Sequence, residues 1–186
     1  ILALATYPTY DPATFNEMYT QLSNDPAKPL WNRAISGTYT PGSTFKPLAA
    51  IAALSTGAIT IDQELPCDGI YTAFEDYQPK CWIWSEQHKT HGVQNVTKAI
   101  ENSCNYFFYK VGDDMGIETL VEYASKLGLG KKTGIEVPEY EGILAGPEYR
   151  DKIGLLWNPG DTLQSAIGQS DNLITPLQLA SYVATI

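Results

Sequence analysis

The apolar positions fall into a few runs whose spacing separates helix from connection. A helix predicted to begin at Ser43 and end before Gly57 carries Leu48, Ala49, Ala50, Ile51, Ala52, Ala53 and Leu54, so it is apolar on every side. Such a helix belongs inside a larger body, not on its surface. Pro47 is tolerated in the first turn, where the amides have no partner within the helix. Ile117, Leu120, Val121, Ala124 and Leu127 recur at helical spacing, with Lys126 in the last turn and Gly128 beyond it. This predicts an amphipathic helix over 117–127. Shorter helices are expected over 96–102 and 106–115, broken at Ser103-Cys104-Asn105. Thr175-Pro176-Leu177-Gln178 has a capping Thr, a proline at the first helical position and a Gln three residues on. It should open a largely buried helix carrying Leu177, Leu179, Ala180 and Val183.

The other segments are less regular. Residues 1–6 form a short apolar run consistent with a buried strand. Pro8 and Pro12 then force an extended or turning path. Residues 16–31 are polar, contain Pro26 and Pro29, and show no clean period, which predicts irregular surface. Residues 62–92 read as loop with Tyr71, Tyr77, Trp82 and Trp84 scattered through it, for most of which packing is expected. Residues 128–160, rich in Gly and Pro, read as connection. No internal repeat is present.

At 186 residues the chain can build one sizeable core. Its formal charge of −9 repels polyanions, and no Lys/Arg cluster offsets it, which argues against a nucleic-acid partner. No run approaches the roughly 20 apolar residues needed to cross a bilayer. The chain begins without Met inside one apolar run and stops inside another, so both ends read as cuts, and a membrane anchor would lie outside the sequence.

The chemistry centres on Ser43-Thr44-Phe45-Lys46 at a predicted helix start. Residues three apart share a helical face, so the Lys46 amine can reach the Ser43 hydroxyl. Serine near neutrality needs a base, and lysine becomes one only when burial lowers its pKa; Phe45 and Leu48 supply an apolar flank. The helix start adds unpaired amides and a positive dipole end, suited to an oxyanion. The plainer alternative makes Ser43 an N-cap and Lys46 a solvated lysine, and a bare Ser-x-x-Lys does not decide between them.

The surrounding residues do. Asn32-Arg33-Ala34 followed by Tyr39-Thr40-Pro41-Gly42-Ser43-Thr44-Phe45-Lys46-Pro47 resembles the acylation segment of penicillin-binding proteins. Ser103-Cys104-Asn105, after Ala99-Ile100-Glu101-Asn102, resembles their Ser-x-Asn motif. Trp157-Asn158-Pro159-Gly160-Asp161-Thr162-Leu163, Ala166-Ile167-Gly168-Gln169 and Thr175-Pro176-Leu177-Gln178-Leu179-Ala180 resemble their later helical segment. The resemblance runs the whole length in the expected order and is best to the class B, elongation-type branch of Gram-positive bacteria.

The resemblance implies an α/β fold of the penicillin-binding and serine β-lactamase type, with this piece mostly helical and most of the central antiparallel sheet missing. It implies a D-alanyl-D-alanine transpeptidase that forms cell-wall cross-links through a seryl acyl-enzyme. Ser43 would be the nucleophile and Lys46 the base of acylation. Ser103 would relay a proton to the leaving group, and Asn105 would hold the substrate backbone. No cofactor is implied. The implied partners are peptidoglycan stem peptides, β-lactams that acylate Ser43, and, for the parent, a membrane glycosyltransferase at the extracytoplasmic face of the cell membrane. Rival readings are a serine β-lactamase and a β-lactam sensor domain. The first would need a deacylation segment that is absent; the Trp-Asn-Pro-Gly-Asp and Thr-Pro-Leu-Gln-Leu-Ala segments favour the synthase over the second.

Lys132-Thr133-Gly134 spells the family's third motif but follows Leu127-Gly128-Leu129-Gly130 and precedes Ile135-Glu136-Val137-Pro138, so it reads as a loop. In the resemblance the true third motif lies beyond the last helix, on strands that supply a second oxyanion amide. One such donor is worth about 3 kcal/mol to a transition state, so the isolated piece is expected to be weakly active or inactive.

Cys67 and Cys81, separated by thirteen residues, could pair as a disulfide. With His91 they could also contribute to a zinc site, but the spacing matches no standard motif. The expectation is therefore a disulfide or free thiols, with no metal site assigned. Cys104 reads as a packed thiol, since nothing basic adjoins it in sequence. His88 and His91 have no triad pattern around them.

Overall fold

The computed structural model describes all 186 residues. Helix α1 (Phe15–Asn24) precedes a 3-10 turn, Gly42–Phe45, that runs directly into α2 (Lys46–Thr56). A small sheet pairs β1 (Leu65–Cys67), before α3 (Trp82–Gln87), with β2 (Gly92–Gln94), antiparallel and with Cys67 opposite Gly92. Then come α4 (Val96–Glu101), α5 (Asn105–Met115), α6 (Ile117–Lys126), α7 (Pro147–Lys152), α8 (Pro159–Ala166) and α9 (Pro176–Thr185).

The all-apolar helix is where its composition requires it to be. In α2, Leu48, Ala49, Ala52 and Ala53 are fully buried. Most of them belong to one core with Val96 and Ala99 of α4, Phe107, Phe108 and Val111 of α5, and Ile117, Leu120 and Ala124 of α6. Helix α8 closes the core with Leu163 and Ala166. It approaches α5 so closely that a Cβ on Gly112 would lie 2.5 Å from the Ala166 methyl. Only a residue without a side chain fits that crossing.

Several expectations change in three dimensions. Residues 1–6 form no strand; most are exposed, and no strand in the chain pairs with them. Residues 16–31 are not irregular throughout, because α1 occupies their first half with none of its residues buried. Phe15, Met18, Tyr19 and Leu22 do share one helical face, a period set among polar residues and followed closely by Pro26 and Pro29. The connection over 128–160 contains α7, and the loop over 62–92 contains β1 and α3. Helix α9 has its capping box, but only Gln178 and Tyr182 are buried and Val183 is exposed, so it covers the core with one edge.

Long polar side chains join the pieces between helices. Arg150 of α7 donates to Asp161 of α8 at 3.0 Å and to Asp171 beyond it. Buried Gln178 donates its amide to the carbonyls of Lys131 and Glu141, each at 2.6 Å, which satisfies two loop oxygens. Lys132-Thr133-Gly134 is loop, as expected, with the Thr133 hydroxyl and the Gly134 amide both donating to Glu139.

Candidate active site

Two helix starts meet at the site. The turn into α2 presents Ser43 at the surface and carries Lys46 inward, where it is 1% exposed. The break between α4 and α5 presents Ser103 and Asn105. Ser103 takes φ = 48°, the left-handed region a non-glycine residue enters at a cost of about 1–3 kcal/mol. That conformation lets α4 end and α5 begin within a few residues, so the side chains on either side of Cys104 both reach Lys46.

Lys46 Nζ lies 3.1 Å from Ser43 Oγ, 2.9 Å from Ser103 Oγ, 2.7 Å from the Ser103 carbonyl and 2.6 Å from Asn105 Oδ1. Ser103 Oγ is 2.9 Å from Ser43 Oγ. The Ser103 carbonyl and Asn105 Oδ1 can only accept, so they take two N–H bonds from Lys46. A neutral amine has two such donors and a lone pair, and the lone pair is left facing the two hydroxyls. The four groups are therefore fully satisfied with Lys46 deprotonated and Ser43 or Ser103 donating to it.

Burial pushes the amine toward that state. No carboxylate accompanies the amine, and burial lowers its pKa from the ordinary lysine value to about 8, against an opposing pull from Cys81 and Cys104. An exposed hydroxyl sits beside a buried amine that is partly neutral near physiological pH, which is the pairing an activated serine requires.

All four residues named from the sequence, Ser43, Lys46, Ser103 and Asn105, are thus brought together. Cys104 turns the opposite way, into the core, where it meets Cys67, Cys81 and His91. Its sequence neighbours gave no sign of this grouping, because the other three residues come from the separate segment over 62–92. Cys67, Cys81 and Cys104 are all free thiols. Hydrogen bonds from Cys104 and Cys67 draw the Cys81 thiol below its ordinary range. Among the loop aromatics, Tyr71 is buried edge-on against Tyr106 and donates to Asp113 at 2.6 Å, a packing role.

The family model for the penicillin-binding protein transpeptidase domain matches residues 1–186. The chain belongs to that family. Among curated transpeptidase relatives, the peptidoglycan D,D-transpeptidase MrdA of Escherichia coli is 37% identical over 97% of this chain. This chain spans 29% of that relative's length. Stage V sporulation protein D of Bacillus subtilis is 30% identical over 99% of the chain and 26% of its own length. Among solved structures, the Pseudomonas aeruginosa penicillin-binding protein PBP2 superposes with a TM-score of 0.90 at 32% identity, over 99% of this chain and 43% of that one. Penicillin-binding protein A of Mycobacterium tuberculosis, solved as a penicillin G acyl-enzyme, superposes with a TM-score of 0.82 at 28% identity, over 100% of this chain and 42% of that one. The transpeptidase fold and an elongation-type, MrdA-like relationship follow. Identity to MrdA of Escherichia coli exceeds identity to the Bacillus relative, so the Gram-positive branch that the motifs suggested is not singled out. No helix is long and apolar enough to cross a membrane.

Proposed function

We propose that this chain carries the acylation centre of a peptidoglycan D-alanyl-D-alanine transpeptidase. The observation that carries the reading is the buried Lys46 amine 3.1 Å from Ser43 Oγ, with no carboxylate paired to it. Lys46 takes the Ser43 proton as the Ser43 oxygen attacks the penultimate D-alanine carbonyl of a stem peptide. The carbonyl π electrons move to oxygen, where amides at the α2 start and the positive end of its dipole meet the charge. On collapse the C–N bond breaks. The leaving D-alanine nitrogen receives its proton from the Ser103 hydroxyl, which is refilled from Lys46 over 2.9 Å.

Asn105 holds Lys46 through its carbonyl oxygen, which leaves its NH₂ for the substrate backbone. The amine of a neighbouring stem peptide then attacks the acyl-enzyme, its proton returning along the same relay, and the cross-link forms. β-lactams acylate Ser43 by the same first step. Two similarities support a setting on the outer face of the cell membrane beside a glycan polymerase. One is to MrdA; the other is to a chain of a peptidoglycan synthase complex that coordinates polymerization and crosslinking, 34% identical with a TM-score of 0.85.

The test is intact-mass detection of a penicilloyl adduct on the full-length protein, mapped by peptide to Ser43 and lost in Ser43→Ala. An adduct elsewhere, or rapid β-lactam turnover without a cross-linking activity, would overturn it.

A further inference from the structure

A cleft of about 520 Å³ opens between the tip of the loop over 71–80 and the start of α8, and the acylation chemistry uses none of its residues. The loop is closed at its neck, where the Tyr71 amide donates to the Pro79 carbonyl at 2.9 Å and Ile70 bridges to Lys80. Two tyrosines fasten that neck to α5. Tyr71 donates to Asp113 at 2.6 Å, and Tyr109 donates to the Lys80 carbonyl at 3.4 Å. The tip then reaches across to α8, where Tyr77 packs so closely that a Cβ on Gly160 would lie 2.5 Å from its ring. Phe74 and Tyr77 form one wall of the cleft, and Pro159, Gly160 and Gln164 form the other.

The walls suit an alkyl chain that ends in an ammonium. Aromatic faces and a proline cover the chain, and a cation is attracted to a tyrosine ring. Gln164 Nε2 donates to the Tyr77 hydroxyl at 2.7 Å, which leaves Gln164 Oε1 as an acceptor without a partner. No Lys or Arg lines the cleft, and Glu75 and Asp76 along it are exposed and form no ion pair. Asp161, by contrast, is already held by Arg150.

The cleft is also placed to work with Ser43. Gln164 lies one helical turn beyond Gly160, and Gly168, just past the end of α8, accepts from the Gly42 amide beside Ser43. At about 1.5 Å per residue, Gln164 and Gly160 stand about 6 and 12 Å from that contact. An extended residue followed by a lysine-like side chain reaches about 10 Å. Tyr109 joins the two places, since it lies one turn from Asn105 on α5 and its hydroxyl neighbours Gln164 and Tyr77.

We propose that the cleft between Phe74–Tyr77 and α8 binds the side-chain ammonium of the donor stem peptide while its D-alanyl carbonyl lies at Ser43. The inference rests on the transpeptidase reading and deepens it by naming what the donor must carry. Every stem that can act as acceptor bears an amine, so the donor bears the same amine, unreacted and protonated near neutral pH. Tyr77 and Phe74 cover its alkyl chain, and Gln164 Oε1, Glu75 and Asp76 accept from the ammonium. An amine with a carboxylate beside it fits less well, because Glu75 and Asp76 repel the added charge.

The test measures acylation of the full-length protein by synthetic stem peptides ending in D-alanyl-D-alanine. Three donors are compared, with the side-chain amine free, acetylated, or flanked by a carboxylate. The free amine should give a kcat/KM about tenfold above the acetylated donor, with the flanked amine between them. The double variant Glu75→Gln with Asp76→Asn, exposed and away from the reacting groups, should bring all three within about threefold. Gly160→Ala, which forces the Tyr77 ring aside, should do the same. Fluorescent penicillin, which has no such side chain, should acylate the double variant at the wild-type rate. Added salt should shrink the preference in the wild type. Equal use of free and acetylated donors by the wild type, or a full preference surviving in the double variant, would overturn the cleft. Wild-type protein that no stem donor acylates at Ser43 would overturn the transpeptidase reading, and the cleft's role with it.

Discussion

The amide of Gly42 donates to the carbonyl of Gly168 at 2.8 Å, joining the turn that presents Ser43 to the end of α8. The contact is tight enough that a methyl on Gly168 would lie 2.1 Å from the Gly42 oxygen and 2.6 Å from Phe45 Cβ. Gly168 also sits at φ = 74°, where an L side chain is strained. Gly168→Ala should therefore displace the nucleophile's turn and cost about 2–4 kcal/mol, combining left-handed strain with overpacking against backbone. A lowered denaturant midpoint together with slower penicillin acylation is expected. An unchanged midpoint would contradict the contact.

Acylation should follow the titration of Lys46. Its pKa is lowered to about 8, chiefly by burial, and only the neutral amine can take a proton. Below about pH 8 the acylation rate should rise roughly tenfold per pH unit, then level off above it. Lys46→Arg should not recover the activity lost in Lys46→Ala, since a guanidinium stays protonated. Stopped-flow acylation from acid to alkaline pH checks both; a flat profile would remove Lys46 as the base.

Ser103 separates catalysis from backbone strain. Ser103→Ala and Ser103→Gly both remove the relay hydroxyl and should slow acylation by about 10²–10⁴-fold. Glycine accepts φ = 48° freely, so Ser103→Gly should be the more stable of the two by about 1 kcal/mol. Equal rates with unequal melting temperatures are the expected pattern. Wild-type rates in either variant would argue against the relay.

Gln178→Leu should destabilise without touching the reacting groups. It leaves the carbonyls of Lys131 and Glu141 unpaired and removes the acceptor for the Thr175 amide. A buried unsatisfied group costs about 1–3 kcal/mol, and of the three only the Thr175 amide is fully buried, so a loss of about 1–3 kcal/mol is expected in urea unfolding. Thr175→Ala, which removes the cap on Gln178 N at 3.1 Å, should cost nearer to about 1 kcal/mol.

The chain's local code determined a good deal. The buried α2, the amphipathic α6, the α4–α5 break and the capping box of α9 all follow from spacing and caps, because each is decided within about one helical turn. The pairing of Ser43 with Lys46 is likewise local, three residues apart on one face. Joining them to Ser103 and Asn105 drew on motif resemblance, since nothing local dictates an approach between Lys46 and Ser103 across a separation of 57 residues. Tertiary structure alone decided the rest. It left residues 1–6 without a strand partner, laid amphipathic α1 on the surface, pressed Gly168 onto Gly42, and gathered three cysteines and a histidine behind the Ser103–Asn105 turn. Those outcomes depend on which surfaces meet across the core, and side chains far apart in sequence carry no periodic signal of their meeting.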